Sequence, residues 1–118
     1  MAGTPGVTSG ARTPEELEAL FEDALVIRDR RMLSTLFEPG ATLVNGNEPP
    51  ARGGEAIARL ALATWDGDHP YVADPRRVVE ARDMAVIIVE QGINVVHRDR
   101  DGAWRYTIVL QTVGDSSE

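Results

Sequence analysis

Residues Leu36 to Gly54, LFEPGATLVNGNEPPARGG, carry the reading of this chain. Leu36-Phe37 closes a short helix, and Glu38-Pro39-Gly40 turns the chain. Ala41 to Asn45 reads as a strand. A polar loop rich in Gly and Pro follows, and Gly53-Gly54 opens another helix.

Upstream, Thr13-Pro14-Glu15-Glu16 is a helix start. Thr13 suits the N-cap, Pro14 the first helical position, and Glu16 completes a capping box. Leu17, Leu20, Phe21, Ala24 and Leu25 then line one helical face. Asp29-Arg30-Arg31 breaks the pattern. Met32, Leu33, Leu36 and Phe37 mark a second, short amphipathic helix. Residues 1–12 are rich in Gly, Thr, Ser and Pro and read as a disordered tail.

Downstream, a third helix runs from about Gly54 to Trp65, with Ile57, Leu60, Ala61 and Trp65 on its buried stripe. Trp65 to Pro70 ends it in turn residues. Arg76 to Ala81 reads as a strand and Arg82-Asp83 as a tight turn. Met84 to Val89 is apolar on both faces, as a central strand is. Ala85, Ile87, Val89, Ile93 and Val95 keep one apolar face across Gly92, which predicts a single long strand bent at that glycine. A tight turn near Gln91-Gly92, making two strands, is the alternative. Asp99 to Gly102 is a hairpin turn. The last strand, Ala103 to Val113, places Trp104, Tyr106, Ile108 and Leu110 on one face, and residues 114–118 are a tail. Three helices followed by strands imply an α+β domain over 13–113.

Composition narrows the function classes. A chain of 118 residues with 42% apolar content builds one core. A net charge of −7 argues against nucleic acid or an anionic membrane as partner. All twelve cations are Arg, so no Schiff base forms on a Lys amine. Without Cys there is no disulfide, thiolate nucleophile or Cys-ligated metal. No apolar run approaches a membrane span. Met1 to Ala11 lacks the basic start and apolar stretch of a signal peptide, so the cytoplasm is the expected compartment.

Three motifs, Phe-Glu-Pro-Gly-Ala-Thr at 37–42, Arg-Gly-Gly-Glu-Ala-Ile at 52–57 and Arg-Asp-Gly-Ala-Trp-Arg-Tyr at 100–106, occur in an order that resembles the nuclear transport factor 2-like superfamily. The SnoaL-like and ketosteroid-isomerase-like branches are the most similar. The resemblance covers about Pro14 to Val113. It implies a cone-shaped fold of three N-terminal helices packed on a curved antiparallel sheet, with a pocket in the cone and a homodimer through the sheet. Relatives commonly have a longer connection around Glu90 to Asn94, which implies a trimmed sheet here.

The resemblance also assigns roles that this sequence does not fill. The ketosteroid isomerases use an Asp base on the first strand and a Tyr donor on the first helix. In the matching register those positions hold Asn45 and Phe21. Asn takes no proton near neutral pH and Phe has no hydroxyl. Asn45 remains a hydrogen-bonding group for a ligand, or a turn residue before Gly46. Limonene epoxide hydrolases share the fold and need an Asp-Arg-Asp relay. Asp29, Arg30 and Asp83 all fall at predicted turns and assemble none.

The remaining candidates are few. Glu48 and Arg52 flank the loop over the pocket mouth and read as solvated charges. Glu90 follows an apolar strand, so it needs a partner if inward and is solvated at an edge. His97 shares a face with Ile93 and Val95 and is either structural or a pH-responsive base. His69 lies in a turn. Two His without a spaced acidic partner make no metal motif, so no metal or cofactor is expected. Trp65, Tyr71, Trp104 and Tyr106 line a pocket or pack the core and dimer. The expected protein thus binds a small apolar molecule through Phe21, Asn45, Ile57, Trp65 and Tyr106, without the acid–base chemistry of the family. The alternative is a small cyclase, isomerase or hydrolase with Glu90 or His97 as base.

Overall fold

A computed structural model describes residues 10–111; most of the expected N-terminal tail (1–9), the expected end of the last strand (112–113) and the expected C-terminal tail (114–118) lie outside the described residues. Helices α1 (Pro14–Val26), α2 (Arg30–Thr35) and α3 (Gly54–Thr64) pack on one six-stranded sheet. Its strands are β1 (Phe37–Asn45), β2 (Ala51–Arg52), β3 (Arg77–Ala81), β4 (Met84–Val89), β5 (Gly92–Arg98) and β6 (Trp104–Gln111). Their spatial order is β2-β1-β6-β5-β4-β3. Only β1 and β6 run parallel; the other pairs are antiparallel. This is the expected α+β class.

Local signals explain the helix ends. The Thr13 hydroxyl accepts the Glu16 N–H at 3.0 Å, as an N-cap does. The Glu16 carboxylate reaches back one residue further than a capping box predicts and takes the Arg12 N–H at 2.6 Å. Asp29 caps α2 in the same way, accepting the Met32 N–H at 3.0 Å. Ala11, grouped by composition with the tail, is buried and bridges to Trp104.

Three expectations about the sheet are corrected. Glu38-Pro39-Gly40 is not a turn ahead of the strand. The strand starts at Phe37, which pairs with Tyr106, and the register jumps before Thr42 pairs with Ile108. Pro39 lacks an N–H for the ladder, so the irregularity falls where pairing would fail anyway. The segment from Met84 to Arg98 is two strands, β4 and β5, joined at Glu90-Gln91, with Val89 paired to Gly92. Gly92 is needed for close approach: a Cβ there would lie 2.1 Å from the Leu110 carbonyl oxygen. The glycine that suggested a bend instead lets β5 pass against β6.

The third correction concerns faces. Trp104 and Tyr106 point into the core, but Ile108 and Leu110 point out, because the β5–β6 register shifts between Val95 and Val96. Val96 pairs with Tyr106 and Val95 with Ile108, so Thr107 is the extra residue of a bulge. One inserted residue moves every later side chain to the other face. The turn at Glu90-Gln91 likewise separates Ala85 and Ile87, which are buried, from Ile93, which is exposed.

The core fills the concave side, where Leu17, Phe21, Leu33, Leu43, Ile57, Ile87, Val96 and Val109 are buried. α3 starts against α2: a Cβ on Gly54 would lie 2.5 Å from the Ser34 carbonyl oxygen. Gly54→Ala should therefore lower stability by about 1–3 kcal/mol through overpacking. Gly40→Ala, with nothing within 4 Å of its Cβ, should leave the urea midpoint unchanged or slightly raised. Equal midpoints for the two variants would refute the packing argument.

Candidate functional site

Among the described residues the cone holds one fully buried acid, Glu18, on the inward face of α1. Both of its carboxylate oxygens are taken. Tyr71 Oη donates to Oε1 at 2.5 Å. Tyr106 Oη and Asn94 Nδ2 donate to Oε2 at 2.6 and 2.8 Å. Asn94 Nδ2 also lies 3.5 Å from Tyr71 Oη, which closes the cluster. Its members come from α1, the loop after α3, β5 and β6. Three donors on an acceptor-only group are the arrangement that buried carboxylates require.

The phenols respond in turn. Burial pushes the Tyr71 hydroxyl well above the usual tyrosine range, and the negative charge of Glu18 adds to the effect. Tyr106 is raised for the same two reasons, burial first. Each phenol keeps its proton and presents it to the carboxylate.

Phe21 sits at the centre of the surrounding ring cluster. Its centroid lies 4.8 Å from Tyr71, 5.4 Å from Tyr106, 5.7 Å from Trp65 and 5.8 Å from Phe37. Three of these contacts are near-perpendicular edge packings, a favoured aromatic geometry. The deep part of the cone is therefore occupied by the protein's own side chains.

Two shallow clefts open beside that plug. One, of about 230 Å³, lies between Trp65, Pro70, Tyr71, Val89, Glu90 and Gln111. The other, of about 240 Å³, is lined by Leu25, Val26, Arg28, Trp65, Pro70 and Tyr71. Trp65, Pro70 and Tyr71 form a wall common to both. Tyr71 is the one member of the Glu18 cluster on that wall. Arg28 braces the wall from below: its guanidinium donates to the Trp65 and Leu62 carbonyls at 2.8 and 2.6 Å, at the C-terminal end of α3.

The expected ligand residues are distributed unevenly. Trp65 lines both clefts. Phe21, Ile57 and Tyr106 are enclosed in the core and line neither. Asn45 is half-buried at the end of β1, where its amide approaches the Thr64 hydroxyl at 3.4 Å. Of the expected bases, Glu90 lies in the β4–β5 turn with its side chain 73% exposed, 3.5 Å from Arg76. His97 lies on the outer face of the sheet, opposite the cone, with Nδ1 2.7 Å from Glu38 Oε2. Trp104 is buried in the core, so the strand face expected to meet a partner is instead carried by Ile108 and Leu110.

Sequence reasoning missed Glu18 and Asn94. Glu18 had a signal: a charge three residues before Phe21 and seven before Leu25 interrupts an apolar stripe. Asn94 had less, because its inward position depends on the turn at Glu90-Gln91. A second cluster was also hidden by sequence distance. Among the described residues, Glu38, His97 and Asp99 each place one ligand atom within 4.8 Å of the others. No local spacing announces this, since Glu38 is brought across β6 from β1.

The fold as a whole superposes on known structures. The chain has the NTF2-like cone fold. A Thiobacillus denitrificans protein, provisionally named a calcium/calmodulin-dependent protein kinase type II association domain, superposes with a TM-score of 0.70 at 15% identity, over 92% of this chain and 100% of that one. A ketosteroid isomerase-like protein of Erwinia carotovora atroseptica gives 0.64 at 16% identity, over 83% and 91%. An NTF2-like family protein of Streptomyces avermitilis, provisionally named a dehydratase, gives 0.62 at 18% identity, over 84% and 91%. No protein-family model matches the sequence, and no curated protein does. At these identities the likeness is one of fold.

Within the NTF2-like cone the two phenols give a direct test. Tyr71 and Tyr106 are the chain's only tyrosines, so tyrosinate absorbance reports on this site alone. Their raised pKa values mean that the folded state holds protons that the unfolded state releases above pH 10.0. Stability is therefore fully present below pH 10.0 and falls as pH rises past it. Absorbance near 295 nm should stay flat until the far-ultraviolet circular dichroism is lost, and the two should then change together. Titration of either tyrosine near pH 10.0 in the folded protein would refute the buried cluster.

Proposed function

We propose that this chain is a small-molecule-binding NTF2-like domain that has abandoned the acid–base chemistry of its enzymatic relatives. The observation that carries the reading is the closure of the Glu18 cluster. The one acid inside the cone has both oxygens occupied by Tyr71, Asn94 and Tyr106 and meets no cleft. A general base must reach the proton that it abstracts. Glu90 reaches the rim of one cleft but is solvent-exposed beside Arg76, which suits a polar contact more than a desolvated base, and His97 faces away from the cone.

Binding falls to the cleft wall of Trp65, Pro70 and Tyr71. At about 230–240 Å³ each, the clefts lie below the roughly 300–1,000 Å³ of drug-sized sites. They suit a compact molecule with an apolar ring or branched chain and one or two polar groups. Gln111 and Glu90 at the rim supply polar contacts. A thermal-shift screen of small ketones, lactones and terpenoid fragments against nucleotides and acyl-phosphates should stabilise the protein with the first group only. Trp65→Ala should abolish the shift. Stabilisation by phosphates alone, or by a ligand indifferent to Trp65→Ala, would overturn the proposal.

The same reading includes a cytoplasmic homodimer built through the outer face of the sheet. Val79, Met84, Ile88, Ile93, Ile108 and Leu110 are each 37–48% exposed on the strands. The helices cover only the concave side, so this apolar face needs another cover. A second copy supplies it, because a face rich in Ile, Val and Leu is self-complementary about a two-fold axis. Among the described residues, no helix is long and apolar enough to cross a membrane. Sedimentation equilibrium at micromolar concentration should give a dimer, and Ile108→Glu with Leu110→Glu should give a folded monomer. A wild-type monomer would contradict the assembly without touching the cleft.

A further inference from the structure

We propose that Glu38, His97 and Asp99 form a binding site for a divalent transition-metal ion of the zinc type. The site lies on the outer face of the sheet, separate from the cone. β1 brings Glu38, β5 brings His97, and the hairpin that follows brings Asp99. His97 Nδ1 lies 2.7 Å from Glu38 Oε2 and 3.5 Å from Asp99 Oδ1. Around tetrahedral zinc with bonds of about 2.0–2.2 Å, ligand atoms stand roughly 3.3–3.5 Å apart. The His97–Asp99 separation already matches that value and the His97–Glu38 one is shorter, so an opening between Glu38 and His97 admits the ion.

The residues behind the triad make it more than a chance grouping of charges. The Glu38 oxygen that does not face His97, Oε1, accepts the Thr107 hydroxyl at 2.8 Å. The corresponding Asp99 oxygen, Oδ2, is held by the Arg105 guanidinium. Each carboxylate is thus turned so that one oxygen is fixed from outside and the other faces the imidazole. This is the outer arrangement that metal-ligating carboxylates adopt. Thr107 stands in position because the bulge at Val95/Val96 gives β6 its extra residue there. Arg105 also bonds Asp101 at 3.1 Å, so its charge is divided between two aspartates. Glu38, Asp99 and Asp101 outweigh Arg105, and the local field favours a cation.

The donor set selects the class of ion. One imidazole nitrogen with two carboxylate oxygens suits zinc and its first-row neighbours. Magnesium and calcium sites are built from oxygen alone. In the single chain the side chains of His97, Glu38 and Asp99 are 35%, 20% and 36% exposed, which leaves room there for water as a fourth ligand.

Isothermal titration of the full chain with zinc chloride tests this. One ion should bind per chain, and calcium chloride should give no comparable binding. Glu38→Gln and His97→Gln should each weaken zinc binding by at least about tenfold. Thr107→Val, which touches no ion, should weaken it by roughly 10–100-fold through the misdirected Glu38. His69→Gln, beside Asp66 in the exposed turn after α3, should leave it unchanged. The unsubstituted protein gives a second readout that does not depend on variants folding: zinc should shift the imidazole NMR signals of His97 and not those of His69. Absence of saturable binding, binding that survives His97→Gln, or a shift confined to His69 would overturn the site.

Discussion

The rest of the structure depends on keeping one carboxylate out of water. Glu18 is fully buried, and its three donors lie 53, 76 and 88 residues away along the chain. Burying a carboxylate costs several kcal/mol even after relaxation. Each hydrogen bond to a charged group returns about 1.5–3 kcal/mol. Three of them offset the cost and leave a small net term. The cluster's consequence is specificity more than stability. Only one placement of α1 against the sheet, and of the Tyr71 loop against both, brings all three donors to the same two oxygens. Any other arrangement leaves a buried charge unsatisfied.

That constraint also shapes the cone. Tyr71 and Tyr106 are drawn inward by Glu18, and their rings close on Phe21 together with Trp65 and Phe37. The cone is filled from within, and the open volume beside it is the pair of clefts along Trp65, Pro70 and Tyr71. Neighbouring structures carry names as different as an association domain, a ketosteroid isomerase-like protein and a dehydratase. A fold that supports such variety says little about chemistry on its own. The placement of acids and phenols inside the cone says more.

The two faces of the sheet are set by two irregularities. The bulge at Val95/Val96 keeps Tyr106 inside while it sends Ile108 and Leu110 outside. The irregularity in β1 after Phe37 places Glu38 beside Thr107 and His97. Without them the alternation would run unbroken, and neither the outward Ile108 and Leu110 nor the Glu38–His97–Asp99 group would form as it does. Bulges often mark places where a fold aims side chains, and here they divide an inner polar cluster from an outer one.

By itself the sequence determined the three helices, several turns and the class. Caps at Thr13 and Asp29, the helical stripe through Leu17, Phe21 and Leu25, and the turn at Asp99–Gly102 are local signals, and local physics obeys them. Tertiary structure decided everything that depends on pairing. Whether Gly92 bends one strand or lets two pass depends on the Leu110 carbonyl beside it, which is 18 residues away by number but adjacent across the ladder. Whether His97 faces the cone or solvent depends on where the β4–β5 turn falls. Glu18 went unread in the sequence because its partners come from three distant segments. Side-chain period in a strand is two, so one residue gained or lost inverts a face. Composition carries no record of that parity, and only the completed sheet fixes it.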